Sequence, residues 1–148
     1  AEGVVRGIGG SYFCIADRPI ADLKADLPNV DVIIECTGSS AAVLNAIELL
    51  GVNGVLVLLS NIGGDRKVEV SIDHINRLFV GGNRTMVGSV NSSLADFHTA
   101  IVDLEKAEAR WPGVAERLIT RRLRGLDDAL TLPDPMIGEV KVVIEMDA

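Results

Sequence analysis

The chain has 148 residues, the size of one compact domain, and 48% of them are hydrophobic, which excludes an intrinsically disordered protein. Its formal net charge of -7 argues against a general nucleic-acid-binding protein, because such proteins need a basic surface. No apolar run is long enough to cross a bilayer, and no secretory signal opens the chain, so we expect no membrane partner.

The first thirty residues predict a helix, a short strand and a connector. Glu2–Gly10 has apolar residues at helical spacing, followed by glycines. Ser11–Ala16 is interpreted as a strand, and Asp17–Pro28 as a connector with about one helical turn. The glycines of Gly7–Tyr12 match only the start of a dinucleotide fingerprint and follow a helix, so we do not interpret them as a phosphate-binding loop.

Residues 31–61 predict a strand–helix–strand unit. Asp31–Cys36 is a continuous apolar run, typical of a parallel strand that is buried on both faces. Ser40–Leu50 has an apolar stripe at helical spacing, a serine cap before it and Gly51 as a C-terminal cap. Asn53–Asn61 predicts a second doubly buried strand. A unit of about thirty residues in this order is typical of a βαβ crossover.

The rest of the chain predicts further strands and helices. In chain order these are an edge strand at Lys67–Ile72, a helix at Asp73–Gly82, a strand at Arg84–Val90, a long helix at Ser93–Trp111, a helical piece at Pro112–Ile119 with Pro112 in its first turn, a strand at Ile119–Leu123, a short helix at Leu126–Leu132 and a strand at Glu139–Met146.

The long helix carries two further predictions. Ser93 and Asp96 have the spacing of a capping box at its start. Four apolar residues on one face are expected to be buried, namely Leu94, Phe97, Ile101 and Leu104.

Four residues that could bind a metal are spread widely along the chain, namely Cys14, Cys36, His74 and His98. A zinc centre needs three or four convergent ligands, so we expect no metal site in this chain. We interpret the two cysteines as buried thiols, one in each of two strands, in a reducing compartment.

Small polar residues follow three of the predicted strands. These residues are Thr37-Gly38, Ser60-Asn61 and Ser89-Val90-Asn91. Ligands of a doubly wound sheet lie across the carboxyl ends of its strands, so the pattern predicts a binding edge. The alternative is that the strands simply end in turn residues. Glu35 is either a functional carboxylate with a shifted pKa or a structural partner of its neighbours.

The order of elements and the motifs "VIIECTG", "GNRTMVGSVN" and "KVVIEM" resemble the glucose dehydrogenase branch of the medium-chain zinc-dependent alcohol dehydrogenases. The resemblance covers nearly the whole chain, and "GNRTMVGSVN" is its most specific part. It implies an α/β fold, a partial Rossmann sheet that lacks its first βαβ unit. Residues 1–117 would form this dinucleotide-binding portion, and residues 118–148 would return to a GroES-like catalytic domain.

The resemblance also implies the activity and the partners. The activity would be hydride transfer from C1 of a sugar such as glucose to NAD or NADP, in a cytoplasmic homo-oligomer. Zinc would be bound only by the missing N-terminal half of the parent enzyme, and this chain would contribute neither catalytic residues nor metal ligands. We therefore expect the chain to be inactive alone.

Carried over by position, the resemblance implies roles for seven residues. Thr37 and Gly38 would lie by the ribose of the cofactor, and Leu59 and Ser60 along the nicotinamide. The nicotinamide amide would meet Ser89, Val90 and Asn91, and Asn91 would also reach a sugar hydroxyl.

Two alternatives to a glucose dehydrogenase stay open. One is a non-catalytic binding or assembly module, and the other is a dehydrogenase of another alcohol or polyol. Gly81-Gly82 stands where some family members carry a histidine near the sugar, which argues against glucose itself.

A missing first half would leave the Ser11–Ala16 strand without its neighbour. We expect this strand to be displaced or disordered, to pair with another copy, or to pair with a separate polypeptide. The unit from Asp31 to Asn61 should persist in each case.

Overall fold

A computed structural model describes residues 1–61, 63–65, 67–130 and 138–146. The chain divides into two compact units. The sheet unit comprises residues 13–91, and the terminal unit comprises residues 1–12 and those from 92 onward. Each unit contains a parallel sheet, so the predicted α/β class is confirmed.

The helices and strands follow the predicted order closely. In chain order they are α1 (Glu2–Gly7), a 3-10 helix (Ile20–Ala25), β1 (Val30–Glu35), α2 (Ser40–Leu49), β2 (Leu50–Leu58), α3 (Ile72–Gly82), β3 (Thr85–Gly88), α4 (Leu94–Arg110), α5 (Val114–Leu118), β4 (Ile119–Arg124), α6 (Gly125–Leu130) and β5 (Lys141–Glu145). None of the helices in the described part of the chain is both long and apolar enough to cross a membrane.

The sheet unit is built on the predicted strand–helix–strand unit, which is confirmed as β1, α2 and β2. Its three strands are parallel and lie in the order β1-β2-β3. Glu35 pairs with Leu58, and Leu58 pairs with Gly88, so the three carboxyl ends lie at the same level.

The core of the sheet unit lies between α2 and β2. Leu56 is 0% exposed and Leu50 is 1% exposed, and Ala46 and Ile47 of α2 pack against them. The prediction that β1 is buried on both faces is wrong, because Val32 and Ile34 are 59% and 61% exposed. An apolar run specifies a strand, but it does not specify how many of the strand's faces are covered.

The junction of α2 and β2 contains a bulge, because the pairing of β2 with β1 skips residues 51–54. The helix ends at Leu49, and the strand begins at Leu50, so Gly51 lies in the strand and the predicted C-terminal cap is wrong. A Cβ atom on Gly51 would lie 2.3 Å from Asn29 Oδ1 and 2.9 Å from the backbone nitrogen of Val30. The glycine is therefore required by the close approach of the segment before β1.

Two predicted strands are absent from the described residues. Residues 11–14 are irregular and lead into a turn, in which the Arg18 backbone N–H donates to the Cys14 carbonyl over 2.9 Å. Residues 67–70 are also irregular, and α3 begins at Ile72. Both segments have the composition of strands, but a strand forms only where a neighbour satisfies its backbone groups.

The prediction of two buried thiols in strands is also wrong. Cys14 is half-buried and lies in the irregular segment, and Cys36 is exposed just beyond the end of β1.

The terminal unit contains the second parallel sheet, in which β4 pairs with β5. Arg121 of β4 and Glu139 form an ion pair of 2.6 Å, and their side chains are only 14% and 11% exposed. The helix α5 begins at Val114 with Gly113 as its N-cap, so Pro112 precedes the helix and is not in its first turn. Of the predicted Leu126–Leu132 helix, α6 covers the part to Leu130, and the last two residues lie outside the described residues.

The long helix α4 confirms one prediction and contradicts another. Its capping box is present, with Ser93 Oγ accepting from the Asp96 backbone and an Asp96 carboxylate oxygen accepting from the Ser93 backbone. The expected buried face is exposed instead: the exposed fractions are 72%, 60%, 55% and 52% for Leu94, Phe97, Ile101 and Leu104. An amphipathic pattern predicts which face of a helix is apolar, but it does not show that another element packs against that face.

Candidate functional site

The carboxyl ends of the three parallel strands form one edge of the sheet unit. The Leu59 N–H donates to the Glu35 carbonyl over 2.9 Å, and the Ser89 N–H donates to the Leu58 carbonyl over 3.0 Å. These two bonds extend the pairing of the strands by one residue beyond their ends. The small polar segments that follow the strands, residues 37–38, 60–61 and 89–91, therefore lie at one edge of the sheet, as the sequence predicts.

Gly38 brings the first two of these segments together. Its φ of +67° lies in the left-handed region, which glycine adopts without steric cost. A Cβ atom at this position would lie 3.7 Å from Ser60 Cβ and 3.8 Å from the Asn61 carbonyl oxygen. The turn after β1 therefore packs directly on the end of β2.

A cleft of about 350 Å³ lies between the ends of β2 and β3. It is lined by residues 58–61 and 88–90, which include four of the seven predicted site residues: Leu59, Ser60, Ser89 and Val90. Its lining mixes apolar residues with the small polar residues Ser60, Asn61 and Ser89, a combination that suits a flat ring with a polar substituent. The residues present therefore fit one end of a dinucleotide.

The other three predicted residues lie outside the lining of this cleft. Thr37 lines two neighbouring cavities of about 140 and 280 Å³ beside α2, and Gly38 forms the turn described above. Asn91 follows Val90, is exposed, and has a φ of +67°. Asparagine is one of the few residues other than glycine that adopt this conformation readily.

The carboxylate of Glu35 is bound to the turn that follows its own strand. Its Oε1 accepts from the Thr37 backbone N–H over 2.6 Å and also from the Thr37 hydroxyl. Glu35 is 5% exposed, yet the hydroxyl and then the backbone of Thr37 hold the pKa of its carboxyl below the usual range. Of the two alternatives for Glu35, the contacts favour the structural partner.

Sequence reasoning missed the contact between Glu35 and Thr37. The only signal for it was the spacing of an acid two residues before a threonine at the end of a strand. This signal is weak, because the same spacing occurs wherever a strand ends in polar residues.

The residues that the structure describes do not fit a zinc centre. Among them there is no group of three or more His, Cys, Asp or Glu side chains that could hold a metal ion. His74 instead pairs with Glu48 of α2 over 2.9 Å.

Comparison with known proteins identifies the family. A family model described as "Glucose dehydrogenase C-terminus" matches residues 2–146. The chain belongs to this family. Two curated relatives are the glucose 1-dehydrogenases of Methanocella arvoryzae and Metallosphaera sedula, each 32% identical over 145 residues and matched by 98% of this chain. The chain spans only 40% and 38% of the lengths of these relatives.

Solved structures agree with the family assignment. The glucose dehydrogenase of Haloferax mediterranei, solved in complex with NADP, Zn and gluconolactone, is 26% identical and superposes with a TM-score of 0.84. The superposition covers 99% of this chain and 40% of that protein. An alcohol dehydrogenase of Thermotoga maritima, 23% identical with a TM-score of 0.68, shows the likeness of fold alone. The resemblance to the glucose dehydrogenase branch is thus confirmed.

Proposed function

We propose that this chain is the cofactor-binding portion of an NAD- or NADP-dependent glucose 1-dehydrogenase. The observation that carries the proposal is the single edge where three strand ends meet, with Gly38 resting on Ser60 and an adjoining cleft of about 350 Å³. The Haloferax relative, which was solved with NADP, supports the choice of cofactor.

Each predicted site residue then has a binding role. Thr37 and Gly38 lie beside the ribose, in a turn that can pack against Ser60 because Gly38 has no side chain. Leu59 and Ser60 form one wall for the nicotinamide, and Ser89 and Val90 form the other. Asn91 orients the nicotinamide amide and a hydroxyl of the sugar.

The chemistry is divided between this chain and the rest of the parent enzyme. When bound, the nicotinamide supplies the acceptor for a hydride from C1 of the sugar. The residues of this chain bind and orient the ring. Polarisation of the sugar hydroxyl would require groups outside this chain, because its described residues offer no metal centre.

The proposal also includes the domain organisation and the partners of the chain. Residues 1–117 form a partial Rossmann domain that lacks its first βαβ unit, and residues 118–148 return to the catalytic domain. The partners are the sugar, the N-terminal half and further copies of the enzyme, in the cytoplasm.

The proposal is tested by comparing the 148-residue chain with the intact parent enzyme. We expect the parent to oxidise glucose with NADP or NAD and the isolated chain to show no turnover. Turnover by the isolated chain, or a parent that oxidises only other alcohols or nothing at all, would contradict the proposal.

A matched pair of variants locates the cofactor in the parent. Ser60→Phe fills the cleft, so the dissociation constant for NADPH should rise by more than about tenfold. Ser71→Phe adds the same ring at the exposed start of α3 and should leave the constant unchanged. Equal effects of the two variants would argue against the cleft.

A further inference from the structure

We propose that Glu35 is a positioning residue for the cofactor, and that it acts by holding the Thr37-Gly38 turn in its binding conformation. The inference rests on the proposed function. It goes further because Glu35 itself does not line the cleft between β2 and β3.

Glu35 joins two of the three strand ends that form the candidate site. Its side chain accepts two hydrogen bonds from Thr37, and its backbone carbonyl accepts from the Leu59 N–H over 2.9 Å. Because Glu35 is 5% exposed and fixed by pairing with Leu58, it offers both segments a rigid attachment.

Further hydrogen bonds connect this turn to the start of α2. Thr37 Oγ1 accepts from the Ser39 N–H over 3.2 Å, and Ser39 Oγ accepts from the Ala42 N–H over 3.4 Å. A continuous path of hydrogen bonds therefore runs from Glu35 through Thr37 and Ser39 to the first turn of α2. The hydroxyl proton of Thr37 is committed to Glu35, so the turn has one preferred arrangement and not several.

The charge of Glu35 strengthens these bonds. The donors from Thr37 hold the pKa of the Glu35 carboxyl below its usual range even though burial opposes this, so the group is an anion at neutral pH. Hydrogen bonds to an ionised acceptor are roughly twice as strong as neutral ones. Its other oxygen, Oε2, is buried and has no hydrogen-bond partner among the described residues, so the carboxylate is directed to the turn through Oε1.

The test measures the affinity of the intact parent for NADPH. Glu35→Gln keeps the shape of the side chain but removes the charge, and we expect the dissociation constant to rise by roughly tenfold. Thr37→Val removes only the hydroxyl and should raise the constant by about threefold, whereas Thr37→Ser restores it toward the wild-type value. The double variant should bind no worse than Glu35→Gln alone, because both changes break one network.

Glu48→Gln is the matched control. It makes the same exchange of acid for amide at the far end of α2, about 13 Å along the helix from the turn, and should change the constant by less than about twofold. All constants are measured well below the melting temperature of each variant. A purely structural role for Glu35 would lower the melting temperature without changing the affinity.

The outcomes separate this inference from the proposed function. A wild-type parent that does not bind NADPH would overturn both. Wild-type binding together with an unchanged constant for Glu35→Gln would overturn only the role of Glu35. If Glu35→Gln does not fold, equal affinities of Thr37→Val and Thr37→Ser would overturn it instead.

Discussion

His74 Nε2 lies 2.9 Å from Glu48 Oε1 and joins the first turn of α3 to the last turn of α2. Lys24 Nζ lies 3.9 Å from the other oxygen of Glu48. The side chains of His74 and Glu48 are 44% and 45% exposed, so water weakens the pair. We expect Glu48→Gln to lower the free energy of unfolding by only about 0.2–1 kcal/mol in urea titrations. A loss of more than about 2 kcal/mol would show that the pair is more deeply desolvated than its exposure indicates.

A leucine pair tests where the core lies. Leu56 is 0% exposed and packs against α2, whereas Leu94 is 72% exposed on α4. Leu56→Ala should cost about 2–5 kcal/mol of unfolding free energy, because it leaves a cavity. Leu94→Ala should cost less than about 0.5 kcal/mol when the isolated chain is unfolded in denaturant. Similar costs for the two variants would mean that the exposed face of α4 is covered in solution.

A glycine pair tests the close approach beside β2. Gly51→Ala would place a Cβ atom 2.9 Å from the Val30 backbone nitrogen, and we expect a loss of roughly 1–3 kcal/mol in unfolding free energy. Gly81→Ala lies inside α3 with no heavy atom within 4 Å of the new Cβ. It should stabilise the protein by about 0.5–1 kcal/mol, because alanine has a higher helix propensity than glycine. A loss of unfolding free energy in both variants, or a gain in both, would contradict this interpretation of the two sites.

The loss of folding stability at acid pH should depend on Glu35 and Asp96. The Thr37 hydroxyl and backbone lower the pKa of Glu35, and the Ser93 hydroxyl and backbone lower the pKa of Asp96. A carboxyl with a lowered pKa in the folded state stabilises the protein above its unfolded pKa. This contribution is lost as the pH falls through the folded pKa. Glu35→Gln should therefore flatten the fall in stability at acid pH, and an unchanged slope in urea titrations across that range would contradict the prediction.

Two variants of Asn91 separate binding from backbone strain in the intact parent. Both Asn91→Gly and Asn91→Ala remove the side-chain amide and should reduce kcat/KM by an amount worth roughly 1–3 kcal/mol. Only alanine is strained at a φ of +67°, so it should be less stable than the glycine variant by about 1–2 kcal/mol. Unchanged kinetics in both variants would show that Asn91 acts only as a turn residue.

The sequence predicts the parts of the fold that depend on neighbours close in the chain. The β1-α2-β2 unit and the capping box of Ser93 and Asp96 are both confirmed, because their contacts span few residues. The common edge of the sheet that holds Thr37, Ser60 and Ser89 is also predicted, because parallel strands connected by helices have their carboxyl ends at the same side of the sheet.

The features that the sequence misjudges depend on distant partners. Ser11–Ala16 has the composition of a strand, but no described neighbour pairs with it, and it is irregular. The apolar residues of α4 have helical spacing but are exposed. The contact between Glu35 and Thr37 was missed for a different reason. It depends on the rotamer of one side chain, which residue spacing does not specify.

The bulge at residues 51–54 makes the start of β2 the part of this unit that can accommodate a change in length. Leu50 pairs with Val30, but the next pair is Val55 with Val32, and the pairing then runs one to one up to Leu58 at the candidate site. One residue inserted after Val55 would slip the strand and invert its faces, whereas one inserted in the bulge would leave that register intact. Homologous proteins should therefore vary in length at the bulge, and the segment from Val55 to the candidate site should be inherited at constant size.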